Sequence, residues 1–184
     1  GLAKIKSRIS GTVASSIATE QLLKANGIPV IDLNAAGTID LYVDGADEAN
    51  HFGYLIKGRG GALTREKIIA TVAQRFICII DQSKYVTALG NLSPIPLEVL
   101  PMARSLVGRK IVSMRGNPVY RENYLTDNGN IIIDVHNLNI DHPLELENTL
   151  NTLTGVVENG LFAHRPADLI IIATTDGIQT ITPS

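Results

Sequence analysis

The run D-G-A-D-E-A-N-H-F-G-Y-L-I-K-G-R-G-G-A-L-T-R-E, residues 44–66, decides how the rest of the chain is read. It gathers carboxylates at Asp44, Asp47 and Glu48, sets Lys57 and Arg59 among glycines, and closes on Glu66 where a helical pattern begins. Just upstream, Thr38–Asp44 alternates apolar and polar residues, with Ile39, Leu41 and Val43 on one side, which predicts a strand. Asp44 then stands at the strand's carboxyl end, the edge at which open α/β sheets bind ligands. A glycine-rich turn ahead of a helix lets backbone N–H groups approach an anion, and the helix N-terminus favours negative charge. A lysine adds a positive point charge, and a carboxylate can move a proton. Any one of these pieces alone would read as a polar loop before a capped helix. Together they suit proton transfer on a small, phosphorylated, oxygen-rich substrate.

Working outward, the first residues read as the end of a helix leading to a strand near Ile9–Ala14, and Ser15–Asn26 as a helix with Gly27 as its C-terminal stop. Ile28–Leu33 predicts a short strand, with Pro29 placing it late or at an edge. Downstream, Leu63–Gln74 is helical and Phe76–Ile80 is a continuously apolar strand, as in sheets covered on both faces. Asp81-Gln-Ser-Lys84 follows on the same sheet edge as Asp44, in a sequence that also suits an ordinary Asx turn. This βαβ alternation predicts an α/β fold: a Rossmann-like open parallel sheet with helices on both faces.

Pro94 and Pro96 break the pattern. Beyond them come a strand at Leu97–Leu100, a helix at Ala103–Met114 and a strand at Val119–Tyr124. An Asp127-Asn-Gly129 turn leads to a return strand at Asn130–His136, then a helix at Pro143–Leu153 and a strand at Val156–Phe162. The order βαββαβ is that of a ferredoxin-like α+β unit, read as a second domain over 94–167 inserted into the catalytic α/β domain of 1–93 and 168–184. Leu169–Ala173 returns to the first sheet, and Asp176-Gly177 turns into a last strand, Ile178–Ile181.

The 184 residues suffice for one or two domains with a proper core. A net charge of -2 with scattered Lys and Arg gives no support to nucleic-acid binding. Cys78 is the only cysteine and sits in the apolar run Phe76–Ile80, so it reads as a buried structural thiol. No stretch is long and apolar enough to span a bilayer and no signal-peptide pattern is visible, so a cytoplasmic protein without membrane partners is the default. His51 is a lone loop histidine, and His136, His142 and His164 lack ligand spacing. D-G-A-D-E lacks the alternating oxygen ligands of a calcium loop, so no metal site is expected.

D-G-A-D-E, K-G-x-G-(G/A)-A-L-T-R-E-K-I, D-x-S-K, P-M-A-R-S, T-D-N-G-N, N-G-L-F-A-x-R-x-A-D and D-G-x-x-T-I, in this order, resemble ribose-5-phosphate isomerase type A over essentially the whole chain. That family has an earlier strand and a G-T-G-S-T-like turn that donates to the substrate phosphate; this segment does not occur in these residues. The resemblance implies a cofactor-free aldose–ketose isomerase of the pentose phosphate pathway, commonly a homodimer, interconverting ribose 5-phosphate and ribulose 5-phosphate through an enediolate. It implies Glu66 as the base, Lys57 as the stabiliser of the oxyanion, and Asp44 as a hydroxyl ligand that assists ring opening. Asp47 would bind hydroxyls or hold Lys57. Substrate contacts fall to Asp44, Gly45, Ala46, Asp47, Lys57, Gly58, Arg59, Gly60 and Lys84, with Arg59 departing from the family's usual glycine. For Glu66 the helix dipole would lower the pKa, while burial and the aspartates would raise it. The rival readings are a non-catalytic sugar-phosphate sensor on a related fold, and a related sugar-phosphate isomerase or deaminase.

Overall fold

A computed structural model of the chain describes residues 2–183. After a 3-10 segment at Leu2–Arg8, helix α1 spans Ile17–Ala25. The Ser16 hydroxyl accepts from Thr19 N, a cap worth about 1 kcal/mol because it pairs one of the orphan amides of a helix start. Strand β1 is Ile39–Asp44, followed by the short strands β2 (Glu48–Ala49) and β3 (Leu55–Ile56). Helix α2 (Leu63–Val72) runs straight into β4 (Ala73–Asp81). Next come β5 (Ile95–Val99), α3 (Arg104–Ser113), β6 (Asn117–Tyr120) and β7 (Ile131–His136). Helix α4 (Pro143–Asn151), β8 (Val156–Asn159) and β9 (Leu161–Phe162) follow, and β10 (Leu169–Thr174) and β11 (Gly177–Ile181) end the chain.

Three sheets result. In the first, β1, β4 and β10 run parallel and β11 is added antiparallel, in the order β1-β4-β10-β11. In the second, β6-β7-β5-β8 are antiparallel throughout, and the order of elements is the βαββαβ of a ferredoxin-like unit. The third, β2-β3-β9, joins them: β9 follows β8 after one residue and pairs with β3, immediately before Lys57. The fold is mixed α/β. No helix among the described residues is long and apolar enough to cross a membrane.

Helix α2 lies where the layers meet. Ile69 and Ala70 pack with Tyr42, Phe76 and Cys78 of the first sheet. Its other side carries Thr64 and Lys67, which bond Glu98 on β5, Glu147 on α4 and Glu158 on β8. The second core, built on Leu97, Val99, Ile131 and Ile133, is closed by Val107 and Ile111 of α3 and Leu150 of α4.

Several local expectations change. On β1 it is Tyr42 that is buried, while Leu41 and Val43 are half-exposed, because α2 and the small sheet cover the Tyr42 face. The apolar run of β4 alternates likewise, with Phe76, Cys78 and Ile80 inward and Ile79 half-exposed. The segments near residues 9–14 and 28–33 meet only in a parallel bridge between Thr12 and Val30. Pro29 has no N–H to give a ladder, and Asp32 draws the chain into a 3-10 turn by accepting from Asn34 N at 2.8 Å. Helix α2 ends at Val72 rather than Gln74, because Ala73 already pairs in register with Ile39. The strand expected over Val156–Phe162 divides at Gly160 between two sheets.

Candidate functional site

The parallel register sets the carboxyl end of β1 beside β4, with Asp44 opposite Cys78. Asp44 Oδ1 accepts from Gly45 N at 2.8 Å, while Oδ2 accepts from the Tyr42 hydroxyl and, at 2.9 Å, from Lys57 Nζ. Tyr42 lies two residues before Asp44, so the strand's period of two puts both side chains on one face. Its ring is buried and stacks on Phe76 at 4.8 Å between centroids. Burial, and then Asp44, push the phenol far above its ordinary range, so it remains a donor. The sequence reading did not single out Tyr42, although its spacing from Asp44 was a usable signal.

Lys57 enters from the end of β3 and its side chain is 3% exposed. The ammonium donates to Asp44 Oδ2 and to Gly45 O, and Glu66 Oε2 lies 3.4 Å away as an ion pair. Burial alone would pull the lysine down; Glu66 and Asp44 outweigh it, and the net displacement is upward. The lysine therefore stays charged across the neutral range. It also lies 5.7 Å from the centre of the Phe162 ring, against which Lys67 packs at 4.8 Å.

Glu66 occupies the first turn of α2, whose N-cap residue, Ala62, supplies no side-chain cap. Glu66 Oε2 is buried, and among the described residues it is the one buried side-chain oxygen or nitrogen without a hydrogen-bond partner. Its pKa is raised: burial pushes it up, Lys57 pulls it back, and Asp44 and Asp47 push again. Burial therefore outweighs the pairing with Lys57. A buried carboxylate with an undonated oxygen and an elevated pKa is equipped to accept a proton.

The glycine loop closes the site. Gly58 and Gly61 take φ of +104° and +78°, and a Cβ on Gly58 would meet Leu63 Cβ at 2.8 Å. Asp47 does not hold Lys57, as one expectation had it; its Oδ2 accepts from Arg59 N at 3.0 Å and so fixes the loop instead. Lys57 is held by Asp44 and the Gly45 carbonyl. Ala46 is buried, while Arg59 and Gly60 are exposed. Lys84 lies half-buried in the turn after β4, with its charge in reach of Cys78, and makes no ion pair or hydrogen bond with Asp44, Lys57 or Glu66. Cys78 is free and buried, its thiol pushed up to about 12, chiefly by that burial. His51 is exposed against Phe52, and the His164 ring bonds Asn148 at 2.7 Å.

An open α/β sheet with an elevated carboxylate paired to a buried ammonium at its carboxyl edge defines a class, the α/β enzymes that move protons on small oxygenated substrates. The chain belongs to one family within it, ribose 5-phosphate isomerase A (phosphoriboisomerase A), whose profile matches residues 11–177. Solved structures agree. Ribose 5-phosphate isomerase A from Neisseria gonorrhoeae is 48% identical with a TM-score of 0.93, over 96% of this chain and 78% of that one. The Methanocaldococcus jannaschii protein is 36% identical with a TM-score of 0.91, over 98% and 84%. A D-ribose-5-phosphate isomerase in complex with phospho-erythronic acid is 39% identical with a TM-score of 0.91, over 94% and 77%.

Proposed function

We propose that this chain interconverts D-ribose 5-phosphate and D-ribulose 5-phosphate, with Glu66 carrying the proton. In the open-chain aldose, Glu66 takes the proton from C2, a C1–C2 double bond forms, and O1 becomes an oxyanion facing the Lys57 ammonium. Return of the proton from Glu66 to C1, with the O2 hydroxyl proton passing to O1, leaves the carbonyl at C2. Atoms and charge balance with no external oxidant or reductant. One carboxylate serves both carbons because they are adjacent. The fixed ammonium stabilises the charge where it develops, commonly the largest catalytic contribution.

The observation that carries this reading is the undonated, buried Glu66 oxygen 3.4 Å from Lys57 Nζ. Asp44 and Asp47, with Gly45, Ala46, Gly58, Arg59 and Gly60, serve in this reading as the surroundings of the sugar hydroxyls, and Lys84 as a second cation for the phosphate end. The catalytic unit is taken as 1–93 with 168–184 and the second unit as 94–167. A homodimer, a cytoplasmic setting and a place in the pentose phosphate pathway belong to the same proposed reading. The test is turnover of ribose 5-phosphate by the full protein and by Glu66→Gln. Loss of about 10²–10⁴-fold in kcat is expected, the usual size of a general-base effect. Turnover near the wild-type rate in the variant removes Glu66 from the role, and a wild-type protein that binds ribose 5-phosphate without isomerising it makes the chain a sensor.

A further inference from the structure

The segment Arg121–Tyr124, on the second sheet's side of the molecule, reaches the back of the glycine loop. Arg121 Nη1 donates to the carbonyl of Arg59 at 3.0 Å, and the Tyr124 hydroxyl donates to the carbonyl of Gly60 at 2.7 Å. Neither contact is casual. The Arg121 guanidinium is clamped by two bonds to Asp134, at 2.9 and 2.6 Å, and lies 5.2 Å from the Tyr124 ring centre. Asn123 holds a φ of +54°, turning the chain between the two donors. Tyr124 packs so closely on Gly61 that any Cβ there would collide with its ring and hydroxyl.

A trans peptide points its carbonyl and its N–H in opposite directions. All peptide bonds in the described residues are trans. Fixing the Arg59 carbonyl toward Arg121 therefore aims the Gly60 N–H the other way. The flanking amides are committed, Arg59 N to Asp47 and Gly61 N to the Gly58 carbonyl at 2.8 Å. The Gly60 N–H has no partner among the described residues.

We infer that Arg121 and Tyr124 are positioning residues for the isomerisation: from outside the loop they orient its peptides so that the Gly60 N–H is presented to the substrate. The inference rests on the proposed isomerase reaction for its kinetic readout, and on the loop alone for its structural one. Neither side chain makes a hydrogen bond or ion pair with Asp44, Lys57 or Glu66. Both act through the backbone, and the arginine's pairing with Asp134 makes its geometry depend on the second sheet.

The experiment combines amide hydrogen exchange of residues 58–61 with steady-state kinetics on ribose 5-phosphate, in wild type, Tyr124→Phe and Arg121→Lys. Tyr124→Phe keeps the ring and loses only the donor. Arg121→Lys keeps the charge and cannot reproduce the two-bond fork on Asp134 beside the bond to Arg59. Faster exchange in the loop is expected in both variants, together with a fall in kcat/KM on the order of 10- to 100-fold, the scale of a slightly misplaced reacting geometry. A purely structural role would instead lower the melting temperature and leave the kinetics of the folded fraction unchanged, and that result overturns the proposal. Unchanged loop exchange overturns it too, whatever the wild-type turnover. Absence of turnover in the wild type with faster exchange in the variants would refute the isomerase reading while supporting the loop geometry.

Discussion

At the scale of single residues, the proposed chemistry turns on two displacements in one direction. Glu66 is raised because burial outweighs its pairing with Lys57, and Lys57 is raised because two carboxylates outweigh its burial. Only ionised Glu66 can accept a proton, so kcat/KM should rise with pH through the Glu66 pKa, above the ordinary glutamate range. Only the ammonium stabilises an oxyanion, so the fall on the alkaline side should lie above the ordinary lysine range. Asp44→Asn removes a negative neighbour from both groups and should move both limbs downward, in a pH–rate profile taken on ribose 5-phosphate. An acid limb at or below the usual glutamate value in wild type would mean that Glu66 is hydrated in solution and is not the elevated base. Asp44, Lys57 and Glu66 could be singled out because they lie within one short run of carboxylates, glycines and a lysine, and the family resemblance rather than the pattern favoured Glu66 as the base. Glu98, Arg121 and Tyr124 were not, since each gains its meaning from a partner more than 30 positions away.

At the scale of elements, α2 explains why part of the pattern was hidden. A helix with one solvent face writes a clear apolar stripe into its sequence. Helix α2 is packed on two sides, and its second side is polar: Lys67 Nζ donates to Glu147 at 2.7 Å, to Glu158 at 3.0 Å and to the Leu161 carbonyl at 2.8 Å. Thr64 donates to Glu98, a fully buried carboxylate that also accepts from Thr126 and Asn130, each at 2.8 Å. In sequence these residues look like a solvent face. Removing one member of such a cluster strands the others in low dielectric, so Lys67→Met should destabilise the protein by about 3 kcal/mol. Urea unfolding at pH 7 measures this, and a loss under about 1 kcal/mol would reduce the cluster to the worth of a surface pair. The ends of α2 were less legible than its existence, because strand register with β1, not a local stop signal, cuts the helix at Val72.

At the scale of the whole molecule, the change of pattern at Pro94 was visible, but the way the sheets are bound to one another was not. Their junction runs through Gly160. Its N–H donates to the Pro96 carbonyl at 2.8 Å and its carbonyl accepts from Lys57 N at 2.9 Å, so one residue links β5 to the backbone of Lys57. A Cβ there would run into the Lys57 carbonyl oxygen and would stand 2.6 Å from Pro96 Cδ. Neither obstacle is the far end of a flexible side chain. Accommodating Gly160→Ala therefore requires the Lys57 backbone to move away from β9, carrying its ammonium out of register with Glu66. Overpacking of this kind costs about 1–3 kcal/mol. A shift of even 1 Å at the reacting groups can cost on the order of 10²-fold in rate. Stability and kcat should thus fall together in this variant, while unfolding stays a single transition because α2 packs in the first core and bonds Glu98, Glu147 and Glu158 of the second unit. Chemical denaturation and turnover measured on one preparation decide it: a stable Gly160→Ala protein with wild-type kcat would show that the two sheets are joined with slack, and that the lysine is placed by its own strand alone.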